Sequence, residues 1–267
     1  MPEEPVIARA ALHFDEEPII SGLRGSGTVF FSGCSLRCAF CQNFPISHEG
    51  FGRQIAPDEL RRVFDSLISQ GAHNINLVNP THFLRPILEA LREPLPVPVV
   101  YNSGGYELSS SIGLLRGKVH VYLPDLKYIR EDSAARYSGA RDYFRHASAA
   151  LLEMHRQQPE VVLDGDGVIR RGMMVRHLIL PGHADESMEI LDWIAANLPG
   201  AWVSLMAQYV PMGRAAERPE INRRLTEDEY ERVCDHMIAL GLEDGFVQEL
   251  GSADERYTPP FDLTGIE

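Results

Sequence analysis

The chain is short of several things. It carries 4 cysteines and 2 tryptophans in 267 residues. No apolar run approaches the ~18 residues that span a bilayer, so no membrane helix is expected. The opening Met1-Pro2-Glu3-Glu4-Pro5 is acidic and proline-containing, where a secretory leader is basic and then apolar. Positive charge is scarce: 25 Lys and Arg stand against 38 Asp and Glu, a formal net charge of −13. That excludes the global attraction to phosphate backbones on which most nucleic-acid binders depend. The densest basic pairs, Arg170-Arg171 and Arg223-Arg224, read as solvated surface. The G-x-G-x-x-G fingerprint of dinucleotide binding is missing. The expectation is a cytoplasmic protein with neither a nucleic-acid nor a membrane partner. Its 44% hydrophobic content is ordinary for a packed core.

The few cysteines are concentrated. Cys34-Ser35-Leu36-Arg37-Cys38-Ala39-Phe40-Cys41 places three of the four within eight residues, spaced C-x3-C-x2-C. The apolar run Thr28-Val29-Phe30-Phe31 before them reads as a buried strand. Gly33 then lets the backbone turn tightly into a loop. Thiolates this close converge on one metal centre, and three of them can hold three corners of a [4Fe–4S] cubane. The fourth iron is left open to a small molecule, which a purely electron-carrying cluster does not need. A structural zinc site completed by Cys234 or a histidine is a competing reading, although zinc knuckles usually pair C-x2-C units at two separated places. A disulfide framework leaves one clustered cysteine odd and fits a reducing compartment poorly. Cys234, alone on an amphipathic segment, reads as a small core residue.

Strand and helix signals alternate along the chain. After Thr28–Phe31, strands are expected at Asn74–Val78, Pro98–Tyr101, Val119–Pro124, from Met173 to the Gly182 exit, and at Trp202–Met206. Helices are expected over Pro57–Gln70, from Phe83 through Leu91, and over Arg141–Arg156 and Asp185–Leu198. Another follows Thr226, where Glu229 completes a capping box. Val161-Val162-Leu163 and Val168-Ile169-Arg170 flank Asp164-Gly165-Asp166-Gly167, a hairpin signal beside the main repeat. Residues 1–27 have no clear period; Ala8–Leu12 suits a short helix or an extended arm. Arg214–Arg224 is a polar loop long enough to act as a lid. The segment from Gly251 reads as a loosely ordered tail. Six strand-then-helix units in succession argue for a parallel α/β arrangement, divided into an arm (1–27), the α/β body (28–250) and a tail (251–267).

At Cys34–Cys41, with the aromatic Phe40 just before the last cysteine, the chain resembles the radical S-adenosylmethionine (SAM) enzymes. It is most similar to uncharacterised relatives of pyruvate formate-lyase-activating enzyme, through Cys41-Gln42-Asn43 and Asp125-Leu126-Lys127, over about Ala8 to Gly241. The resemblance implies an open, partial (β/α)6 TIM-like barrel with its chemistry at the C-terminal strand ends. It implies a [4Fe–4S] cluster on Cys34, Cys38 and Cys41, and SAM as second cofactor. It also implies reductive cleavage of SAM to a 5′-deoxyadenosyl radical that abstracts hydrogen, from a glycine Cα of a partner enzyme or from another protein or small-molecule substrate. A flavodoxin or ferredoxin would supply electrons. An iron–sulfur electron carrier or sensor that leaves SAM intact, and a zinc-stabilised interaction domain, are the alternatives from other classes.

The same resemblance implies further site residues. Phe40 lies beside the adenine. Asn79-Pro80-Thr81-His82 replaces the usual Gly-Gly-Glu turn, so backbone carbonyls near Val78 and Asn79 take over its contact with the SAM amino group. Asn102 and Ser103 fall near the SAM carboxylate. Alternation on an extended chain puts Asp125 and Lys127 on one side, where they meet SAM or form a strand-end ion pair. Arg176, inside an apolar strand, needs an anionic partner: SAM, or Asp125 or another acid in the barrel. Asn43 reads equally as a turn residue or a cluster neighbour, and Thr81 is a candidate cap for the next helix. His82 reads as structural, and Gln208 and Tyr209 are candidates for SAM or substrate contact.

Overall fold

The structure is a computed structural model that describes residues 4–252 and 258–266. The strands are β1 (Val6–His13), β2 (Ser26–Phe31), β3 (Arg53–Gln54), β4 (Ile75–Val78), β5 (Val99–Ser103), β6 (Val121–Pro124), β7 (Val162–Leu163), β8 (Ile169–Leu178), β9 (Trp202–Met206) and β10 (Gly245–Val247). The helices are α1 (Pro18–Ser21), α2 (Phe44–Ser47), α3 (Pro57–Ser69), α4 (Leu84–Ala90), α5 (Ser109–Gly113), α6 (Glu131–Ser138), α7 (Tyr143–Gln157), α8 (Ala184–Asn197) and α9 (Glu227–Ala239). The strands form one sheet in the order β10-β9-β8-β6-β5-β4-β2-β1-β3, with β7 hairpinned onto β8. Neighbours from β2 through β10 run parallel; β1 and β3 are antiparallel additions at one edge. All six expected strands are present, and the sheet curls without closing. Among the described residues no helix is long and apolar enough to cross a membrane.

Strand parity separates two environments. Val29, Phe31, Ile75, Leu77, Val99, Tyr101, Tyr122, Met173, Val175, Val203 and Leu205 pack in one core with Leu60, Val63 and Phe64 of α3, Ile87 of α4, Leu151 of α7, Ile190 and Ile194 of α8, and Val233 of α9. The alternate positions point inward. There Val100, Val121, Leu123 and Met174 form a second apolar cluster, beside the buried polar Thr28, Asn74, Asn76, Asn102 and Ser204. A strand buried on both faces needs both sets filled.

The filler on the inner face comes from the N-terminal segment. Ala8–Leu12, for which a short helix or an extended arm was expected, are extended within β1, which pairs with β2. The chain then turns inward, and Ile19 and Ile20 of α1 pack on Val100, Val121, Leu123 and Met174. Asn74 Nδ2 donates to the Ile20 carbonyl at 2.7 Å, pinning this plug to the strand beside it. The tail differs from expectation in its described part. Leu263 N donates to Ala8 O and Ala10 N to Thr264 O, and Phe261 lies edge-on to Phe30 at 5.6 Å. Residues 253–257 and 267 lie outside the described residues.

Local signals did their expected work elsewhere. Thr226 and Glu229 make the reciprocal capping box of α9. Asp164 Oδ1 accepts from the backbone N–H groups of Asp166 and Val168, closing the β7–β8 turn. Arg214–Arg224 is not a free lid: it holds two 3-10 turns, and Arg214 N donates to Ala39 O at 2.6 Å, bracing the cysteine loop.

Ile20→Ala tests the plug. Ile20 is fully buried, so truncation should destabilise the chain by about 2–5 kcal/mol, read by urea unfolding. A loss under about 0.5 kcal/mol, the range of ordinary surface changes, would show that the segment does not fill the barrel.

Candidate active site

The loop after β2 carries Cys34, Cys38 and Cys41 to the wall of a cavity of about 540 Å³. Each sulfur accepts a hydrogen bond: Leu36 N to Cys34 Sγ at 3.4 Å, Ser138 Oγ to Cys38 Sγ at 3.0 Å and Ser47 Oγ to Cys41 Sγ at 3.2 Å, and Cys41 also meets the Asn43 backbone. The loop backbone is clamped as well. Ala39 N donates to Tyr137 O at 2.7 Å and Gly33 N to Ile46 O at 2.7 Å. Asn79 Nδ2 reaches the Gly33 carbonyl at 2.5 Å, and His82 Nε2 lies 2.7 Å from the Ser32 carbonyl. Gly33 sits at φ +89°, and a Cβ there would come within 2.9 Å of His82 Nε2, so only glycine suits the turn. His82 thus braces the turn before the cysteine loop and is not among the residues that line the cavity.

Burial pushes all three thiols up, Cys38 to about 12. A metal centre must take their protons on binding. Among the described residues no three His, Cys, Asp or Glu side chains are gathered as for a single metal ion. The donor set nevertheless fits an iron–sulfur cluster: three soft sulfurs on one cavity wall, each with a donor aimed at it, and the Lys127 cation favouring their ionised form. Phe40 lines the same cavity and packs edge-on against Tyr209 at 5.7 Å. Tyr209 itself does not reach the cavity; its buried hydroxyl donates to the Ile221 carbonyl at 2.8 Å.

A network of charges shares the cavity with the thiols. Arg176 Nε donates to Asp125 Oδ1 at 3.0 Å, Nη1 to Glu16 Oε1 at 2.9 Å and Nη2 to Asn102 Oδ1 at 2.7 Å. Lys127 Nζ donates to Asp125 Oδ2 at 2.5 Å. Glu16 Oε2 accepts from Asn102 Nδ2 at 3.0 Å and Asn76 Nδ2 at 3.2 Å. Burial pushes the Asp125 carboxyl up, but Arg176 and Lys127 outweigh it and hold Asp125 below its ordinary value. Burial opposes the charge on Arg176, and Asp125, Glu16 and Glu17 reverse the effect. Lys127 is likewise raised, because Asp125 overcomes its desolvation.

Asn79, Asn102, Ser103, Asp125, Lys127 and Arg176, all expected at the site, line one cavity with Phe40 and the three cysteines. Sequence reasoning missed Glu16 and Glu17, which it left in a loop. Glu17 is buried, accepts from Ser204 Oγ at 2.6 Å and is raised by desolvation. Two acids directly before an apolar Pro18-Ile19-Ile20 were the available signal. Thr81, a candidate helix cap, makes no cap; its hydroxyl donates to buried Glu107 at 2.6 Å. Tyr101 Oη donates to the other Glu107 oxygen at 3.1 Å, so Glu107 ties the exits of β4 and β5 together. Tyr143 is a second missed strut. Its hydroxyl, with one proton to share between them, lies 2.9 and 3.0 Å from the carbonyls of Gly104 and Asp125, and it accepts from Lys127 N at 2.9 Å. Gly105, at φ +78°, allows this close approach; a Cβ would collide with the Asp125 carbonyl.

No family model matches the chain. An uncharacterized protein of Methanocaldococcus jannaschii is 34% identical over 235 residues, which are 84% of this chain and 64% of that protein. The chain thus spans a little under two thirds of the relative's length. Among solved structures, Streptococcus suis SuiB bound to S-adenosylmethionine superposes with a TM-score of 0.54 at 11% identity, over 83% of this chain and 50% of SuiB. Spore photoproduct lyase with bound AdoMet and a dinucleoside spore photoproduct gives 0.52 at 12% identity, over 82% and 74%. Methylornithine synthase gives 0.51 at 14% identity, over 80% and 68%. These neighbours are radical SAM enzymes, and the chain shares their fold, a partial TIM-like barrel.

Two outcomes test the site's struts. Arg176→Met leaves Asp125 and Glu16 buried without their main cation, and should cost about 3–5 kcal/mol of unfolding free energy; an unchanged denaturation midpoint would contradict the network. Burial raises Glu107 to about 7 from an ordinary 4.5. The folded form therefore keeps a proton that the unfolded chain releases first, so this group's stabilisation is lost as pH rises from 4.5 through 7. Wild type should lose stability relative to Glu107→Gln across that window; parallel stability–pH curves would refute the assignment.

Proposed function

We propose that the chain is a radical SAM enzyme that binds a [4Fe–4S] cluster and SAM in the 540 Å³ cavity. The observation that carries this reading is the meeting, in one cavity of a radical SAM barrel, of three hydrogen-bonded thiols with the Asn102–Asp125–Lys127–Arg176 network. Cys34, Cys38 and Cys41 would hold three irons, and the fourth would take the amino and carboxylate groups of SAM. When bound, the cluster would supply the electron for reductive cleavage of SAM, the chemistry that would generate a hydrogen-abstracting radical.

The remaining work belongs to the chain's own residues. Lys127 brings a positive charge to the thiol side and favours a carboxylate ligand there. Asp125 accepts hydrogen bonds, from a ribose hydroxyl in this reading, and is kept ionised by Arg176 and Lys127. Arg176 donates to Glu16, Asn102 and Asp125 and so orients those three, while it also lines the cavity in which SAM would bind. The carbonyl ends of Val78 and Asn79 offer acceptors to an ammonium, and Phe40 offers an apolar edge to a purine. Water is kept out from below by the Ile19–Ile20 plug.

The resemblance to relatives of pyruvate formate-lyase-activating enzyme favours a glycine Cα of a partner enzyme as hydrogen donor. A flavodoxin or ferredoxin in the cytoplasm is the matching reductant. A simple electron carrier has no use for a cavity of this size beside its cluster.

The test is anaerobic. The chain is reconstituted with iron and sulfide, reduced and given SAM, and 5′-deoxyadenosine, methionine and bound iron are measured beside Cys38→Ala. The expected result is about four irons per chain and cysteine-dependent 5′-deoxyadenosine, with the variant at least about 100-fold slower, as for loss of an essential catalytic group. Tight zinc binding without SAM cleavage would overturn the proposal.

A further inference from the structure

The same cavity wall carries, at the exits of β9 and β10, two carboxamides that none of the cofactor contacts proposed above uses. Gln208 and Gln248 both line it. They stand at the exits of the adjacent parallel strands β9 and β10, where Val247 is registered with Leu205 and Gln248 N donates to Leu205 O at 3.0 Å. Gln248 Oε1 is buried with no hydrogen-bond partner among the described residues, an acceptor that costs about 1–3 kcal/mol while unmade. The Gln208 amide makes only a weak contact, Nε2 to Met206 Sδ at 3.7 Å. Between and beside these carboxamides the wall is apolar: Leu178, Met206, Phe246 and Val247.

The charge of the cavity narrows what this part of the wall can take. The lining acids are Asp15, Glu16, Glu17 and Asp125, against the cations Lys127 and Arg176. Both cations are already ion-paired, with Asp125 and Glu16. An anionic group there would meet no unpaired cation among the lining residues, whereas two lining acids, Asp15 and Glu17, belong to none of these pairs. An amide suits it better: its N–H can satisfy the orphan Gln248 Oε1, its carbonyl can accept from Gln208 Nε2, and it is uncharged. Repeated amides flanked by small apolar side chains are what a peptide backbone presents to a wall of this kind.

We propose that Gln208 and Gln248 form the substrate subsite, and that it binds an uncharged peptide segment by its backbone amides and excludes carboxylates and phosphates. The inference rests on the enzyme reading above for calling the ligand a substrate. The peptide's own binding needs no turnover, so the two fail separately.

The experiment uses the full-length, cluster-reconstituted but unreduced chain and ligand-observed NMR. Three probes are compared: the blocked tripeptide N-acetyl-Ala-Gly-Val-amide, the same peptide with a free C-terminal carboxylate, and N-methylacetamide. The blocked tripeptide should bind tightest, and the free acid at least about fivefold more weakly, the effect of one net hydrogen bond. Gln208→Leu and Gln248→Leu should each weaken the blocked peptide by about fivefold, each checked for folding by thermal melting. Equal binding of acid and amide, or unchanged binding in both variants, would overturn the subsite. If N-methylacetamide matches the tripeptide, the peptide part of the proposal falls. A wild-type chain that binds the peptide yet never forms 5′-deoxyadenosine fails as an enzyme and keeps the subsite; one that cleaves SAM but ignores all three probes does the reverse.

Discussion

A guanidinium in the interior of a barrel constrains everything around it. Arg176 lies deep on β8, and taking a charge out of water costs several kcal/mol unless its hydrogen bonds and charge are matched. The match is assembled from far along the chain. Asp125 comes from the end of β6, Asn102 from β5 and Glu16 from the N-terminal plug, 160 positions away. Asp125 in turn holds Lys127 beside the thiols. The N-terminal plug and the residues that line the cavity are therefore parts of one electrostatic unit.

Strand parity gives that unit its setting. Outward positions are apolar because helices cover them; inward positions are mixed because the plug is partly apolar and the cavity is polar. Ile19 and Ile20 take the apolar half, while Glu16 and Glu17 take the half occupied by Asn76, Asn102, Arg176 and Ser204. A buried acid is tolerable where donors already point at it. This is why two consecutive glutamates can sit inside a barrel whose surface is itself strongly acidic.

Around the cavity, rigidity comes from single side chains that join neighbouring strand exits. Glu107 connects Thr81 with Tyr101, and Tyr143 joins Gly104, Asp125 and Lys127 from the helix side. Ser138 and Ser47, from two different elements, each present a hydroxyl to one cysteine sulfur. Sites that must hold reacting groups within a fraction of an ångström need this kind of outer support.

Much of this was legible in the linear chain. The C-x3-C-x2-C loop, the six parallel strands, the β7–β8 hairpin, the α9 capping box and the Asp125–Lys127 pairing all rest on local spacing, and local spacing survives in sequence. The expectation that Arg176 needs an acid also held, because a charge in an apolar strand violates patterning on its own. The plug, the docked tail, the pinned Arg214–Arg224 loop, and the roles of Glu16, Glu107, Thr81 and Tyr143 were not legible. Each is a contact between residues far apart in the chain, and a carboxylate bound for the interior looks the same in sequence as one on the surface. The sequence alone determined which residues are candidates for the site, since that depends on residue type and short-range order. The tertiary structure decided which of them are spent on one another and which remain free for a ligand, since that depends on what long-range folding brings to each donor and acceptor.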